Sequence, residues 1–591
     1  MLDEKQALEG LHAELGLRPG ETQTAFIYLS FIPRITAEEA KRLAQIDYNA
    51  ERDRVTAYWR GIVDQVVPFD VPERRFNSFA RAVIPHIRIS ATKDSASGLY
   101  MIPAASYYYQ VFANEAALQC VMLDALGDHA LAAEYLRTLV QLQGSKKFEG
   151  TYASDQKAVY HGALVNPDYD YTAAQYNLDH GTVRWALAEH YLYTRENAWL
   201  VETAPSMKRA ADWVIEQRAL TKILDGDEKI PEYGLLPAGH LEDNTDWGHW
   251  FAVNDFASAG MTALGEALAG MGDPDATRYA REAAASPPGL ARRDPPCCSV
   301  GAGGPASGPH VYPLVRPLPY ERIRLYGPGR VAFYTRYPQK LLPIYRLSED
   351  REVLYGPMIH LTLNVFGSEE PVARWVLDDW EDSATLSSSM GLNVHGWVDD
   401  QYWFSRGGMV FQANLQNPVL TYLRRHEIPA AIRNLYNDFV VCYYPDVNSF
   451  TEEYHQWVHG SGPFYKVPDE ARFVNRVRDT LALEQDGSLW LASGAPRRWL
   501  APAQKIQVHN LATYFGPLSY EIEGGRDQVS ARVQLPSRNP YKDAWLVARV
   551  PGARPFTSVE IDGRPWKDFD VVREWVHLPR KGGEIKVVVH F

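Results

Sequence analysis

Long apolar runs, runs of like charge and cysteine are all scarce in this sequence of 591 residues. It contains no stretch of about 18 apolar residues, which excludes a transmembrane helix. The four cysteines show neither C-x-x-C nor Cys/His spacing, so no metal site is predicted. The net charge is −13 with no basic run. This argues against a nucleic acid or an anionic membrane as partner, because phosphate groups require clusters of Lys and Arg.

The start of the sequence also lacks a recognisable signal, since residues 1–5 (MLDEK) have no apolar character. Residues 22–32 (TQTAFIYLSFI) are strand-like, and a helix is predicted over 35–63. A single strand is not stable alone, so it either pairs with a distant β-region or is the last strand of a sandwich that precedes this sequence. The expected location is the cytoplasm, or outside the cell with the signal lost.

From residue 71 to 484 the apolar pattern predicts twelve helices, most of them in pairs. Short breaks within pairs are typical of antiparallel hairpins. The connections between pairs are long and rich in Trp, Tyr, Gly, Asp and His, and long loops inside a compact domain are usually functional. The predicted spans are 72–87, 110–125 with 129–142, 179–193 with 198–218, 253–271 with 273–285, 355–366 with 369–380, 414–425 with 428–444, and 468–483.

This alternation of short and long connections is what an (α/α)₆ barrel requires, with all the long loops meeting over one mouth. After residue 484 the apolar pattern has period two, with turn signals such as Asp-Gly between the strands. We therefore predict a mainly α protein with a strand and helical linker over 1–70, an (α/α)₆ barrel over 71–484, and an antiparallel β-sandwich over 485–591. The predicted strands are 488–492, 506–508, 529–535, 544–550, 558–561 and 585–591.

Residues 286–319 fit neither neighbouring region, because they contain nine prolines, a Cys-Cys pair and a Gly-rich stretch. One interpretation is a flexible loop at the barrel mouth. The other is a shifted reading frame in a GC-rich gene, which yields Pro, Gly, Ala and Arg. Both interpretations predict that this stretch is poorly ordered or irregular.

The 16 Trp and 34 Tyr include many in polar, Gly-rich stretches. They are either core residues of a large protein or flat stacking surfaces for sugar rings. Cleavage of a glycosidic bond needs two carboxyl groups, one that protonates the leaving oxygen and one that activates water or attacks the sugar. In a barrel these groups come from different mouth loops, so the acids of the long loops are the candidates.

Two loops hold the candidate catalytic acids. Residues 230–251 carry Glu242, Asp243 and Asp246 among Trp247, His249 and Trp250. Aromatic cover raises the pKa of a carboxyl group and suits a general acid, although Asp246 could simply cap a helix. Residues 447–462 carry Glu452 and Glu453 between Phe450 and Tyr454. Adjacent residues on an extended chain point in opposite directions, so only one of this pair should face the mouth.

Three further loops supply candidate substrate-binding residues. Residues 388–411 combine stacking aromatics with donors and acceptors, and Asp399 with Asp400 is a rival acid pair. Asp179 and His180 open a predicted inner helix, where Asp179 either binds sugar hydroxyls or caps the helix. The substrate-binding candidates are Tyr107, Asp179, His180, Trp247, Trp250, His395, Trp397, Trp403 and Arg406.

The helical-pair rhythm followed by a β-domain resembles the six-hairpin glycosidase superfamily, which includes glucoamylases, trehalases, processing α-glucosidases, bacterial α-rhamnosidases and disaccharide phosphorylases. In its processing-glucosidase and trehalase branch, the general acid is an Asp before the third inner helix, near a Gly-rich turn and a Trp. The stretch GHLEDN (239–244) is similar and points to Asp243. The base is a Glu between aromatic residues before the last inner helix, and FTEEY (450–454) points to Glu452.

The residues next to Asp243 depart from the family pattern, which leaves Glu242 as an alternative acid. The resemblance implies an inverting glycoside hydrolase that needs no cofactor, and a structural Ca²⁺ at an Asp-rich loop is compatible with it. The expected partner is a carbohydrate substrate, and the chain could act as a monomer or a homo-oligomer.

Other classes of protein share this fold. A phosphorylase would replace the base by inorganic phosphate. A polysaccharide lyase would use a Tyr or His base beside a group that neutralises a uronate, a role open to His395, Tyr402 and Arg406. A non-catalytic sugar-binding protein would lack a carboxylate pair across the cleft, so the two acidic loops favour an enzyme.

Overall fold

The computed structural model divides into two compact units, Met1–Gln65 and Val66–Phe591. Within them it describes residues 16–26, 28, 36–95, 97–105, 110–153, 155–164, 176–230, 232–241, 248–285, 298–302, 311–315, 322–324, 332–334, 357–365, 367–381, 410–411, 417–455 and 458–591.

The first unit contains α1 (Ala37–Ala44) and the start of α2 (Tyr48–Val66). A reciprocal cap begins α1, since Oγ1 of Thr36 accepts from the Glu39 N–H and the Glu39 carboxylate accepts from the Thr36 N–H. The predicted linker helix is therefore confirmed, although it is split into two. Residues 22–26 are not in a strand, and residues 27 and 29–32 of the predicted strand lie outside the described residues.

The second unit is mainly helical up to residue 481, as predicted. Each predicted helical span contains a helix, with ends shifted by a few residues. The helices are α3 (Arg74–Ser90), α4 (Ala113–Leu126), α5 (His129–Gln141), α6 (Leu178–Thr194), α7 (Asn197–Leu220), α8 (Phe251–Gly270), α9 (Ala276–Ala285), α10 (Pro357–Thr362), α11 (Pro371–Trp380), α12 (Val419–Arg424), α13 (Ile428–Cys442) and α14 (Val467–Leu481).

Six of these helices contact one another in turn, and each of the other six packs on one of them. Every residue of α4 is buried, and so is every residue of α6 except Trp185, which means that both helices are surrounded by protein. Contacts run from α4 to α6, α8, α10, α12, α14 and back to α4, a closed sequence of inner helices. The outer helices α5, α7, α9, α11 and α13 each pack on the inner helix that precedes them in the chain, and α3 packs on α14.

The inner helices α6 and α8 run parallel and very close together. Near their starts, Gly181 approaches Phe256 and Ala257 so closely that an added Cβ would lie 2.5 Å from backbone atoms. Near their ends, Gly270 approaches Tyr191 in the same way, with an added Cβ 3.1 Å from the tyrosine oxygen. Glycine at Gly181 therefore sets the spacing of two inner helices.

Gly181→Ala is expected to lower the free energy of unfolding by about 1–3 kcal/mol, because the new methyl group overlaps the backbone of α8. The measurement is urea unfolding followed by circular dichroism. Gly61→Ala in α2 is the control, since nothing lies within 4 Å of the corresponding Cβ position. That substitution should be neutral or stabilising by up to about 1 kcal/mol. Equal effects of the two substitutions would contradict the close approach.

Short strands connect the helices. They are β1 (Phe69–Asp70), β2 (Thr92–Lys93), β3 (Tyr100–Met101), β4 (Gln110–Val111), β5 (Ala163–Leu164), β6 (Leu224–Asp225), β7 (Glu228–Lys229), β8 (Cys298–Ala302), β9 (Val311–Val315), β10 (Arg322–Arg324), β11 (Ala332–Tyr334), β12 (Val410–Phe411), β13 (Tyr443–Tyr444), β14 (Ser449–His455) and β15 (Val458–Phe464). The backbones of β8 and β9 form an antiparallel ladder. The expectation of irregular structure over 286–319 is thus wrong for those ten residues.

After the last helix the chain forms two sheets. The strands are β16 (Ala482–Gln485), β17 (Ser488–Leu491), β18 (Lys505–Leu511), β19 (Leu518–Gly524), β20 (Gln528–Gln534), β21 (Ala544–Val547), β22 (Ser558–Ile561), β23 (Arg564–Trp566), β24 (Phe569–Asp570), β25 (Trp575–His577) and β26 (Glu584–His590). One sheet has the order β1-β18-β19-β20-β26-β22-β23 and the other the order β16-β17-β21-β25-β24.

All six strands predicted after residue 484 are present, and every described pairing is antiparallel except that of β17 with β21, which is parallel. The Asp486-Gly487 turn signal is confirmed. Both residues have positive φ, 50° and 76°, as a two-residue hairpin turn between β16 and β17 requires. An edge of the larger sheet is β1, which lies just before the helices in the chain.

Candidate functional site

The loops before the inner helices meet at the helix N-termini. The Val467 N–H donates to the Ala104 carbonyl at 3.0 Å, which joins the start of α14 to the loop before α4. The Asn114 N–H donates to Oδ1 of Asp179 at 2.9 Å, which joins the starts of α4 and α6. A backbone bridge between Gly150 and Gly239 joins the loops before α6 and α8. In the part of the chain that the structure describes, the connections before α4, α6, α8 and α14 therefore contact one another.

Glu452 lies at this convergence, on β14. Its Oε1 accepts from Nζ of Lys466 at 2.7 Å, and the same Nζ lies 2.8 Å from Oε1 of Glu115 in the first turn of α4. The Lys466 side chain is 5% exposed and that of Glu452 is 24% exposed. One buried cation thus holds two carboxylates, of which Glu452 has the greater access to solvent.

The surroundings of Lys466 strongly favour its protonated, positively charged form. Burial alone would lower its pKa, but the carboxylates of Glu115, Glu452 and Asp469 together outweigh that effect and raise the pKa of Lys466 well above its usual value. Lys466 is also the residue that precedes α14, and its N–H donates to the Phe450 carbonyl at 3.2 Å. Its position is therefore fixed by the helix that it begins and by the hairpin that carries Glu452.

The base of the hairpin is held rigidly. Oε1 of Glu470 accepts from the Phe450 N–H at 3.0 Å, while its Oε2 lies 2.9 Å from Nδ1 of His86. The Phe450 ring is fully buried and packs on Phe79, with 4.2 Å between ring centroids, and on Phe473. Since Phe450 lies two residues before Glu452 on β14, this packing fixes where the strand carries the Glu452 carboxylate.

Three of the predicted substrate-binding residues are buried, namely Asp179, His180 and Trp250, and the first two bond to backbone groups of the protein. Asp179 is 0% exposed, and its carboxylate accepts from the backbone N–H groups of Asn114 and Gly162. Burial raises the pKa of Asp179 well above its usual value. His180 accepts from the Tyr160 N–H through Nδ1 and donates to the Ala210 carbonyl through Nε2. Burial lowers the pKa of His180 to about 3, so its imidazole is neutral.

The described part of the 230–251 loop leads directly into α8. Trp250 is the residue that precedes the helix and is 1% exposed. Nδ1 of His249 donates to the Leu236 carbonyl at 2.7 Å. Asn254 closes the loop, because its Oδ1 accepts from the Leu236 N–H and its Nδ2 donates to the Trp250 carbonyl. These contacts fix the end of the loop that contains the candidate acids.

The remaining site predictions lie outside the described residues. These are Tyr107, Glu242, Asp243, Asp246, Trp247, His395, Trp397, Asp399, Asp400, Tyr402, Trp403 and Arg406. For Glu453 the structure describes the backbone, which pairs with Ser461 of β15. The roles of Glu453 and of the residues outside the described part of the chain stay predictions.

Glu115 and Lys466 are site residues that the sequence reasoning missed. Glu115 is an acid in the first turn of a helix that is buried throughout, and a buried acid needs a partner. Lys466 stands between an acidic hairpin and a helix that begins with proline. Those two signals could have identified them.

Among the described helices, none combines the length and the apolar content that crossing a bilayer would need. In the same part of the chain, no group of three or more His, Cys, Asp and Glu side chains is arranged to hold a metal ion.

No family model and no curated protein matches the sequence. Several solved structures align with the chain. A bacterial glucoamylase complexed with acarbose is 12% identical, with a TM-score of 0.46 over 75% of this chain and 61% of that chain. An α-L-rhamnosidase from Dictyoglumus thermophilum is 10% identical, with a TM-score of 0.46 over 88% of this chain and 50% of that chain.

A Streptomyces avermitilis α-L-rhamnosidase complexed with L-rhamnose is 10% identical, with a TM-score of 0.48 over 88% of this chain and 42% of that chain. The chain thus spans 42–61% of the length of these three structures.

Proposed function

We propose that this protein is a glycoside hydrolase in which Glu452 is the general base and Asp243 the general acid. The closed sequence of inner helices is interpreted as the inner ring of an (α/α)₆ barrel, and the two C-terminal sheets as a β-sandwich. The proposed active site lies where the N-termini of α4, α6, α8 and α14 meet.

The state of the Glu452 carboxylate is the observation that supports this proposal. Its Oε1 is fixed by Lys466, and among the described residues its Oε2 accepts no hydrogen bond. A carboxylate with one anchored oxygen and one free, partly exposed oxygen can orient a water molecule and take a proton from it. Asp179, by comparison, uses both oxygens to bind backbone N–H groups and has no surface for a substrate.

The proposed reaction inverts the anomeric centre. The acid donates its proton to the glycosidic oxygen as the bond from that oxygen to the anomeric carbon breaks. The oxygen of a water molecule then bonds to that carbon from the opposite face while Oε2 of Glu452 takes the water proton. The net change is the addition of one water. This chemistry requires two carboxyl groups about 6.5–9.5 Å apart and no cofactor.

Product analysis with purified protein tests the proposed function. Because the solved structures that align with the chain include complexes with acarbose and with L-rhamnose, the substrate panel should contain α-glucosides and α-L-rhamnosides as well as polysaccharides. Reducing sugar released without phosphate is the expected result. Release of a sugar phosphate only when phosphate is present would indicate a phosphorylase, and an unsaturated product absorbing in the ultraviolet would indicate a lyase. Either outcome would overturn the proposal.

Asp243→Asn is expected to lower the rate on unactivated glycosides by about 10²–10⁴-fold, because an amide cannot protonate the leaving oxygen. On aryl glycosides with good leaving groups the loss should be much smaller, since such groups leave without protonation. Initial rates on the two substrate types measure the difference.

Glu242→Gln is the matched control, and it should leave both rates within a few-fold of wild type. If Glu242→Gln gives the selective loss instead, the acid is Glu242.

A further inference from the structure

A cavity of about 180 Å³ lies among the inner helices towards their C-terminal ends, away from Glu452 on β14. Its walls come from α4, α6, α12 and α14, with Tyr514 from the connection between β18 and β19. Six of its lining residues are ionisable acids and bases: Glu189, Arg424, Arg472, Arg478, Asp479 and Glu484.

One cation and two of the acids that line this cavity already have hydrogen-bond partners within the protein. Arg478 and Glu484 form a two-bond pair, with both N–O distances 2.6 Å. Oε2 of Glu189 accepts from the Tyr514 hydroxyl at 2.6 Å, and burial raises the pKa of Glu189 to about 7. Near neutral pH, Glu189 therefore contributes only part of a negative charge.

The two other cations have no such partners. Among the described residues, neither the Arg424 nor the Arg472 side chain forms a hydrogen bond or an ion pair, and Nη1 of Arg424 and Nε of Arg472 are buried without a partner. Burial lowers the pKa of Arg472 to about 10 and also lowers that of Arg424, so both groups stay cationic at pH 7. The remaining acid, Asp479, lies 3.3 Å from Arg478 and also interacts electrostatically with Arg424 and Arg472, without a hydrogen bond to either of them among the described residues.

Arg424 and Arg472 are each partly exposed, but a guanidinium nitrogen buried without a partner is costly, and the cost is removed when an anion supplies the missing acceptor. Guanidinium groups match the oxygens of phosphate-like anions with paired N–H donors. The cavity is also large enough, since one water occupies about 30 Å³ and the cavity volume is several times that. We propose that the cavity binds one tetrahedral oxyanion, phosphate or sulfate, between Arg424 and Arg472. This site is separate from the proposed active site and does not depend on the proposed reaction.

Isothermal titration of the whole protein with sodium sulfate and with sodium phosphate tests the site, at an ionic strength held constant with sodium chloride. We expect saturable binding of one anion per chain. Arg424→Gln and Arg472→Gln should each weaken it by at least about tenfold, because each removes charge-assisted hydrogen bonds. Arg532→Gln is the control, since Arg532 is 60% exposed and paired with Glu521 on the sheet, and it should leave the affinity unchanged.

Thermal unfolding of the same variants distinguishes an anion site from a merely structural role. In chloride alone, Arg472→Gln should unfold at the same temperature as wild type or higher, because it removes a cation that has a buried nitrogen without a hydrogen-bond partner. In sulfate, wild type should gain stability and the variant should not. No saturable binding to wild type, or an equal loss of stability by the variants in both salts, would overturn the proposal.

The affinity for sulfate should increase between pH 8 and pH 6, because a bound anion favours the protonated form of Glu189 and this carboxyl titrates near 7. Sulfate keeps its charge over that range. The other acids and bases lining the cavity are the paired Arg478 and Glu484, Asp479, Arg424, Arg472, Tyr193 and Tyr514, and Glu266 of α8 also faces Glu189 and helps to raise its pKa. Glu189→Gln should remove the dependence. An affinity that decreases as the pH falls would contradict the site.

Discussion

Glu452→Gln is expected to lower the rate of glycoside hydrolysis by about 10²–10⁴-fold without unfolding the protein, because a neutral amide cannot take the proton from the attacking water. The amide oxygen can still accept from Lys466, so the hairpin and the start of α14 should keep their arrangement. The measurements are initial rates on the substrate found in the panel and a circular dichroism spectrum of the variant.

Glu453→Gln is the matched control for this prediction, since the two residues are adjacent on β14 and the backbone of Glu453 pairs with Ser461. The contact with Lys466 belongs to Glu452, so the control should keep its rate within a few-fold of wild type. Azide needs no base to attack the sugar and should restore turnover in Glu452→Gln. If Glu453→Gln loses activity and Glu452→Gln keeps it, the assignment of the base is wrong.

The helices could be predicted from the sequence because their signals are local. In α4 the apolar residues extend all round the helix, and Gly127 with φ of 99° ends it where the sequence has a Gly-Asp break. The pairing of distant strands has no comparable local signal. The parallel pair β17–β21 and the addition of Phe69–Asp70 to the C-terminal sheet depend on contacts between residues far apart in the chain. The ladder of β8 with β9 was missed because prolines on both sides favour irregular backbone.

The residues of the candidate site could be predicted from the sequence in part, as the fold could. The acids of the long loops can be read from composition, and Glu452 lies at the convergence of loops that the helical pairs imply. The contacts of the Glu452 carboxylate could not be predicted from the sequence, because the packing of α14 on α4 brings Lys466 and Glu115 to it. The same holds for Asp179. Its carboxylate accepts from the N–H groups of Asn114 and Gly162, and the sequence spacing of these residues does not predict that the carboxylate is buried.

Lys466→Met is expected to lower the free energy of unfolding by about 3–5 kcal/mol, the cost of leaving buried charges without a partner. The substitution keeps the length of the side chain but leaves the carboxylates of Glu115 and Glu452 close together with no cation between them. Catalytic activity should decrease as well, since the Oε1 anchor of Glu452 is lost. Urea unfolding monitored by tryptophan fluorescence measures the stability, and Glu115→Gln in the same chain should recover part of it by removing one of the two charges.

Lys505→Met is the control that tests whether the loss of stability in Lys466→Met depends on the burial of the lysine. Lys505 also lies between two carboxylates, 3.2 Å from Glu521 and 3.7 Å from Glu523, but its side chain is 40% exposed while that of Lys466 is 5% exposed. Exposed ion pairs contribute at most about 1 kcal/mol, so this variant should unfold almost as wild type does. Equal losses from the two substitutions would show that Lys466 is not the buried counter-charge of the site, and the argument that it positions Glu452 would then fail with it.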